Sequence, residues 1–297
     1  MALWIALAAL AQLITAGVVF VDKYVLVSKT HIGKPVVYAF YISLLSGFVL
    51  VLVPFGLVSI PSTEVLFLSL LASVTFISSI VLLYTALKEG HASDIMPVVG
   101  SVAAVATALC ANLWLHEDLP QAFVPAFGLM VFGMLLISHF RLTNRQKMLV
   151  IFSGIFFGAT AFLTKLIFLE TSFLDGFFWS RMTNVVGALF LLALPANRAA
   201  IFSGYRGSSS GTKWLVVSNK TLGGIAAILT LLAISLGSVS IVQALAGLQF
   251  VFLLLIAYFF SRYFPAVLRG EMDHKGRAHK LGGIACIALG LALLFVV

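Results

Sequence analysis

Residues 64–87 read EVLFLSLLASVTFISSIVLLYTAL, a run whose only charged residue is Glu64 at its start. A helix needs about 20 apolar residues to cross the hydrocarbon core of a bilayer, so this run predicts a transmembrane helix. Ten such runs, separated by glycine, proline or charged residues, lie near 3–27, 36–58, 64–87, 93–115, 121–140, 148–169, 173–195, 219–236, 239–261 and 280–297. The sequence therefore predicts an all-α, polytopic membrane protein with ten transmembrane helices.

The composition leaves little room for structure outside the membrane. Hydrophobic residues make up 62% of the 297 residues and charged residues 9%, whereas soluble domains carry about 25% charged residues. The polar segments are all shorter than the roughly 50 residues of a small domain. These features favour transport, binding within the bilayer or action on lipids. They argue against an enzyme with an aqueous active site, and we predict no catalytic residue, metal ion or cofactor.

The net charge of +8 reflects membrane orientation rather than nucleic-acid binding, because the basic residues are scattered over short loops and are not gathered on one face. All Lys and Arg residues except Lys165 and Arg181 fall on odd-numbered connections. Lys and Arg are retained on the cytoplasmic side during insertion. We therefore predict a multi-pass protein of the cell (inner) membrane with cytoplasmic odd connections and both termini outside. The first run is predicted to be a span and not a signal peptide, since no basic residue precedes Lys23.

The chain contains an internal repeat, with one five-helix copy in residues 1–140 and a second in 148–297. The second copy includes a predicted cytoplasmic loop, 196–218. The alignment pairs Lys23 with Lys165, Gly47 with Gly187, Gly90 with Gly237, and Gly100 with Gly247. Because each copy has an odd number of spans, the second must enter the membrane upside down. Inverted repeats are typical of transporters that open a central site alternately to the two faces.

Polar side chains within the spans form the candidate solute site, because unpaired polar groups are costly in lipid and turn towards the bundle interior. We predict that the substrate site includes Gln12, Thr15, Tyr84, Asp94, Ser101, Thr164, Arg181 and Gln243. Hydrogen bonding between helices is the alternative role for such residues.

The charged candidates each have two interpretations. Arg181, about two turns into its helix, either binds an anionic group or extends to the outer interface. Lys23 and Lys165 lie nearer their helix ends, and we expect both to extend to the interface. Asp94 is the candidate for coupling transport to protons, although with Ser93 it also suits a helix N-cap.

Glycines in the spans indicate close helix packing. Gly154 and Gly158 form a GxxxG pair in the sixth run, and the fifth and tenth runs, with Gly133, Gly283 and Gly290 among their glycines, are predicted to be scaffold.

The sequence Tyr84-Thr-Ala-Leu-Lys-Glu-Gly-His-Ala-Ser93, followed by Pro97 and later Glu117, resembles the EamA-type repeat of the drug/metabolite transporter superfamily. The segment LAISLGSVSIVQALAGLQ at 232–249 and Trp179-Ser-Arg181 resemble the same family. The resemblance covers nearly the whole chain. It implies a bundle in which helices 1, 3, 4, 6, 8 and 9 surround the substrate path and helices 5 and 10 support it. Members of the family handle amino acids, drugs, sugar derivatives and other metabolites.

Two departures from the repeat make symmetric roles doubtful. Tyr41 stands where the second copy has Arg181, and Glu271 does not align with Glu117.

The expected function is secondary transport of a small organic metabolite or drug-like solute by alternating access, with export as the expected direction. The expected partners are the solute, the lipid bilayer and protons as coupling ion. Nucleic acid is excluded, and so is ATP, because no nucleotide-binding motif is present. The alternatives are a flippase for a lipid-linked headgroup, in which Arg181 meets a phosphate, and a membrane-embedded enzyme.

Overall fold

The computed structural model describes residues 2–27, 34–116, 119, 121–138, 142–193, 195–207, 209–260 and 277–296. Every regular element within these ranges is helical. The helices are α1 (Ala2–Val27), α2 (Pro35–Leu45), α3 (Thr63–Glu89), α4 (Ala92–Cys110), α5 (Phe123–Ser138), α6 (Asn144–Glu170), α7 (Phe173–Leu191), α8 (Pro195–Gly207), α9 (Ser210–Leu236), α10 (Val239–Leu245), α11 (Gly247–Phe260) and α12 (Arg277–Val296). A 3-10 segment, Ser46–Phe55, continues α2, and a π segment, Ala111–Leu115, continues α4.

Hydroxyl side chains fix where several helices begin. Ser62, Ser172, Ser209 and Ser238 each accept a hydrogen bond from a backbone N–H in the first turn of the following helix. Such N-caps satisfy donors that the helix itself leaves unpaired. Thr143 starts α6 with a capping box, in which the Gln146 side chain returns to the backbone N–H of Thr143.

Among the described residues, seven helical segments are long and apolar enough to cross a membrane, including α1, α3, α6 and α9. The helices α7 and α8 meet the same criterion only together, and they are bent by 104° at the break between them. The helices α5 and α12 are shorter apolar helices. The chain is therefore an all-helical protein with membrane-spanning character, while the count of ten spans remains a prediction.

The predicted loop 196–218 is largely helical. The helix α8 occupies its first half, and α9 begins at Ser210, nine residues before the predicted span. The Gly/Ser run there indicated a flexible loop, but Ser209 supplies an N-cap that starts α9 within it. Ile201 of α8 is buried against Val37, Phe40 and Ala188, which fastens α8 to α2 and α7.

Two ends of the bundle can be named from the contacts. End A is where α1 and α3 finish and α9 begins; end B is where α6 and α9 finish. At end B, Trp4 in the first turn of α1 lies against Gly237, so α1 and α9 are antiparallel. At end A, Gln146 of α6 donates to the backbone oxygen of Glu89, so α3 and α6 are also antiparallel.

Glycine contacts confirm the predicted packing. A Cβ on Gly158 would lie 2.7 Å from the carbonyl oxygen of Ala103, so α6 approaches the backbone of α4 closely. A Cβ on Gly133 would lie 2.6 Å from the carbonyl oxygen of Gly283, which places α5 directly against α12. The chain also turns tightly at Gly237, because only Gly237 and Ser238 separate α9 from α10.

Candidate functional site

The most heavily bonded polar group in the described interior is the Asp22 carboxylate, near end A. Lys220 of α9 contacts both of its oxygens, at 2.6 and 2.7 Å. Asn219 donates to Oδ1 at 2.7 Å, Tyr38 of α2 donates to Oδ1 at 2.5 Å, and Tyr84 of α3 donates to Oδ2 at 3.3 Å. One carboxylate thus joins four helices, and we call these five residues the Asp22 network.

The charged groups of the Asp22 network are buried, so their contacts hold the four helices together. The side chains of Asp22 and Lys220 are only 6% and 10% exposed. The Lys220 ammonium also lies over the Tyr38 and Tyr84 rings, 5.0 and 5.9 Å from their centroids. A buried ion pair is favourable only when further hydrogen bonds complete it, and the two tyrosines and Asn219 supply those bonds.

The sequence identified only part of this network. Tyr84, which was predicted to line the solute site, bonds Asp22 near the end of α3. Asp22 falls on the polar stripe of α1 with Gln12 and Thr15, but Lys220 had been read as a charge that sets orientation. The signal that could have revealed the network is Asp22 itself, an acidic residue inside the first apolar run, 3–27. Such a residue needs a partner, and a lysine from another helix is a candidate.

Lys23 and Lys165, which we expected to extend to the interface, both donate to carbonyl oxygens at the ends of neighbouring helices. Lys23 donates to the carbonyl oxygens of Leu87 and Gly90, which are at the C-terminal end of α3. Lys165 donates to the carbonyl oxygens of Ile234 and Gly237, which are at the C-terminal end of α9, at 3.0 and 2.9 Å. Both ammonium groups therefore satisfy carbonyls that helix ends leave unpaired. The first contact is at end A and the second at end B.

Arg181 lies in α7 with its guanidinium over the ring of Phe76 in α3, 5.7 Å from the ring centroid. Its Nε is sealed from solvent and has no hydrogen-bond partner among the described residues. Asn184, three residues on, is 2% exposed. Phe76 in turn packs edge-to-face on Phe157 of α6, with the centroids 6.5 Å apart.

Three predicted hydroxyl groups bond to their own helices. Thr15 donates to Ala11, Ser101 to Pro97 and Thr164 to Thr160, each at 2.7 Å to the carbonyl oxygen four residues earlier. Their donors are already engaged, which leaves the hydroxyl oxygens as acceptors.

The remaining candidates differ in position. Gln12 is 6% exposed and Gln243 is partly buried, and the described hydrogen bonds include none from either side chain. Asp94 lies in the first turn of α4, and the N-cap of that helix is His91 rather than Ser93 or Asp94. None of the described hydrogen bonds joins Gln12, Thr15, Ser101, Thr164 or Gln243 to one another.

Comparison with known proteins identifies a fold but no family. Nineteen chains among solved structures are similar to this one. One of them, titled "Crystal structure of protein", has a TM-score of 0.63 and 13% sequence identity, over 97% of this chain and 98% of that chain. At that identity the likeness shows the fold alone. Neither a family model nor a curated protein matches the chain.

Proposed function

We propose that this protein is a secondary transporter that moves a small organic solute across the cell (inner) membrane by alternating access. In this proposal ten spans form two inverted repeats, 1–140 and 148–297, of the EamA type, and the solute moves outward. The observation that carries the proposal is the pair of lysine contacts at opposite ends. Lys23 and Lys165 occupy equivalent positions in the two copies, and each binds carbonyls at and just before an equivalent glycine, Gly90 or Gly237.

Matched contacts of this kind are expected when one unit is used twice in opposite orientations. Two such units can exchange conformations, so that a shared central site faces one side and then the other. The antiparallel pairs α1–α9 and α3–α6 fit this arrangement, because each joins a helix of one copy to a helix of the other.

The Asp22 network supports closure at end A. Asp22, Tyr38 and Tyr84 belong to the first copy, whereas Asn219 and Lys220 belong to the second. Opening end A between the copies would break these contacts, so the network acts as the gate of that end.

End B lacks an equivalent charge pair at the aligned position. The residue that corresponds to Asp22, one before Lys165, is Thr164, whose hydroxyl bonds within α6. The two ends are therefore held with different strength, and the resting protein favours a closed end A.

The test is solute movement in proteoliposomes. Purified protein is reconstituted into vesicles loaded with a mixture of small metabolites, and the loss of each from the lumen is followed by mass spectrometry against protein-free vesicles. We expect selective loss of one or a few solutes without chemical change. A chemically altered product would identify an enzyme, movement of lipids alone would identify a flippase, and either result would contradict the proposal.

Proton coupling through Asp94 is part of the same proposal. We expect solute movement to respond to an imposed pH gradient, and the Asp94→Asn variant to lose that response while it still binds solute. Movement that ignores the gradient in both proteins would remove protons as the coupling ion.

A further inference from the structure

We infer that Arg181 binds an anionic group of the transported solute, so that the solute is an organic acid or phosphate ester. This inference rests on the proposed function and assigns the substrate class of its central site.

Arg181 lies near the middle of the bundle. It is eight residues into α7, about 12 Å along the helix at ~1.5 Å per residue. Its guanidinium lies over Phe76, which is equally far from Thr63 and Glu89 at the two ends of α3. Phe157, packed on Phe76, is likewise the central residue of α6. The charge of this partly buried arginine is thus midway along the bundle and away from both ends.

No described carboxylate neutralises this charge. On the neighbouring α3, Glu64 is in the first turn and Glu89 is the last residue, where it pairs with Arg145 at 3.2 Å. On α6 the acid is Glu170, again the last residue. On α7 itself, Asp175 is in the first turn, where it accepts from the backbone N–H of Ser59 at 2.7 Å.

Asp22 is bound by Lys220, and Asp94 lies in the first turn of α4, just after Gly90 at end A. A buried charge within a membrane protein is costly unless it is paired. Extension to the interface does not relieve Arg181, because its Nε is sealed and its guanidinium is held over Phe76. A negative group supplied by the solute would complete the site.

The surroundings match an organic anion. A guanidinium presents planar donors that fit carboxylate and phosphate oxygens in a bidentate manner. The rings of Phe76 and Phe157 offer apolar surface for the body of the solute. Asn184 is buried one turn further along α7, and the described hydrogen bonds include none from its amide, so it can bind a second polar group.

A carboxylate or phosphate can belong to a free solute or to a lipid headgroup, so the test has arms for both. The probes are phenylacetate, its neutral counterpart phenylacetamide, its cationic counterpart phenethylamine, phenyl phosphate, and short-chain phosphatidic acid. Thermal unfolding of the detergent-purified protein is measured with each probe, for the wild type, Arg181→Gln, Arg181→Lys and Arg145→Gln. The last variant removes an arginine charge at a side chain that is 71% exposed, and it is the matched control.

We expect phenylacetate or phenyl phosphate to raise the unfolding midpoint of the wild type and of Arg145→Gln by about 5 °C at a hundredfold excess over Kd. Arg181→Gln should lose that shift, with affinity weakened by at least about tenfold, since one partner of a buried charge pair is gone. Arg181→Lys should retain part of it. A shift with phosphatidic acid alone would assign the anion to a lipid headgroup and would contradict the proposed solute transport.

A ligand-free measurement guards against a folding defect. If Arg181 awaits a ligand, Arg181→Gln without any probe should be as stable as the wild type or more so, because a partly buried charge with no described counter-charge has been removed. A marked loss of stability would assign Arg181 to the fold and overturn the inference. The inference would also be overturned if no anionic probe raised the unfolding midpoint in a way that depends on Arg181. The same holds if phenylacetamide or phenethylamine raised the midpoint as much as phenylacetate does. Solute movement in vesicles unaffected by Arg181→Gln would refute this inference while leaving transport intact.

Discussion

Asp22 shows how a single side chain can join four helices from distant parts of the chain. Its partner Lys220 lies 198 residues away in sequence, so no local pattern reveals the pair. Their mutual attraction offsets the loss of water only because Tyr38, Tyr84 and Asn219 also bond the carboxylate.

Replacing only one residue of the Asp22–Lys220 pair should lower the stability of the protein more than replacing both. Asp22→Asn leaves the buried Lys220 ammonium without its counter-charge, and we expect the free energy of unfolding to fall by about 3–5 kcal/mol. The double variant Asp22→Asn/Lys220→Met should be destabilised by much less than the sum of the single variants. Denaturant unfolding in detergent measures all three, and simple additivity would show that the two residues do not interact.

The two lysines at helix ends should behave alike. Lys23→Met and Lys165→Met each remove a charged donor from two backbone carbonyls, and we expect a loss of about 1–3 kcal/mol for each. Lys88→Met, at an exposed lysine one residue from the end of α3, is the control and should change little. A large effect for one lysine and none for the other would mean that the contacts are not equivalent.

Helix contacts through glycine dominate the packing of α5 on α12. The approach is backbone to backbone, so no side chain can move aside to admit a methyl group at Gly133 or Gly283. Gly282, beside Gly283 in sequence, has nothing within 4 Å of its Cβ position.

These neighbouring glycines give opposite predictions. Gly133→Ala and Gly283→Ala should each lower the free energy of unfolding by about 1–3 kcal/mol, because the helices must separate. Gly282→Ala should be neutral or stabilising by up to about 1 kcal/mol, since alanine favours the helix. Thermal unfolding compares the three, and equal effects at Gly282 and Gly283 would contradict the described packing.

Element positions were largely predictable, because long apolar runs and the residues that cap them are local properties. The turn at Gly237 and the GxxxG contact of α6 follow from short stretches of sequence. The helices within 196–218 were not predicted, because the Gly/Ser run at 207–211 indicated a flexible loop, whereas Ser209 caps α9 there. The network around Asp22 was not predictable, because its members come from four helices and its geometry exists only after folding.

At the scale of the whole molecule, the distribution of charge predicts the orientation of the bundle in the membrane. We predict that end A, which carries the basic connections, faces the cytoplasm. An epitope placed within 205–212 should be reachable only from the cytoplasm, and one after Val297 only from outside. Exposure of both to the same side of intact cells would refute the odd number of spans predicted between them, and the orientation with it.

Alternating access is the central claim, and a cysteine at Gln243 tests it most directly. The Gln243→Cys variant, in a background with Cys110→Ala and Cys286→Ala, is treated with a membrane-impermeant thiol reagent from one side of the membrane or the other. Ser59→Cys, at an exposed residue of end B, is the control and should react from one side only.

We predict that Gln243→Cys reacts from both sides. Adding Asp22→Asn should accelerate reaction from end A and slow it from end B, so that the ratio of the two rates changes about tenfold for ~1.4 kcal/mol of shift between the two states. Reaction from a single side, or rates that change in the same direction, would contradict alternating access.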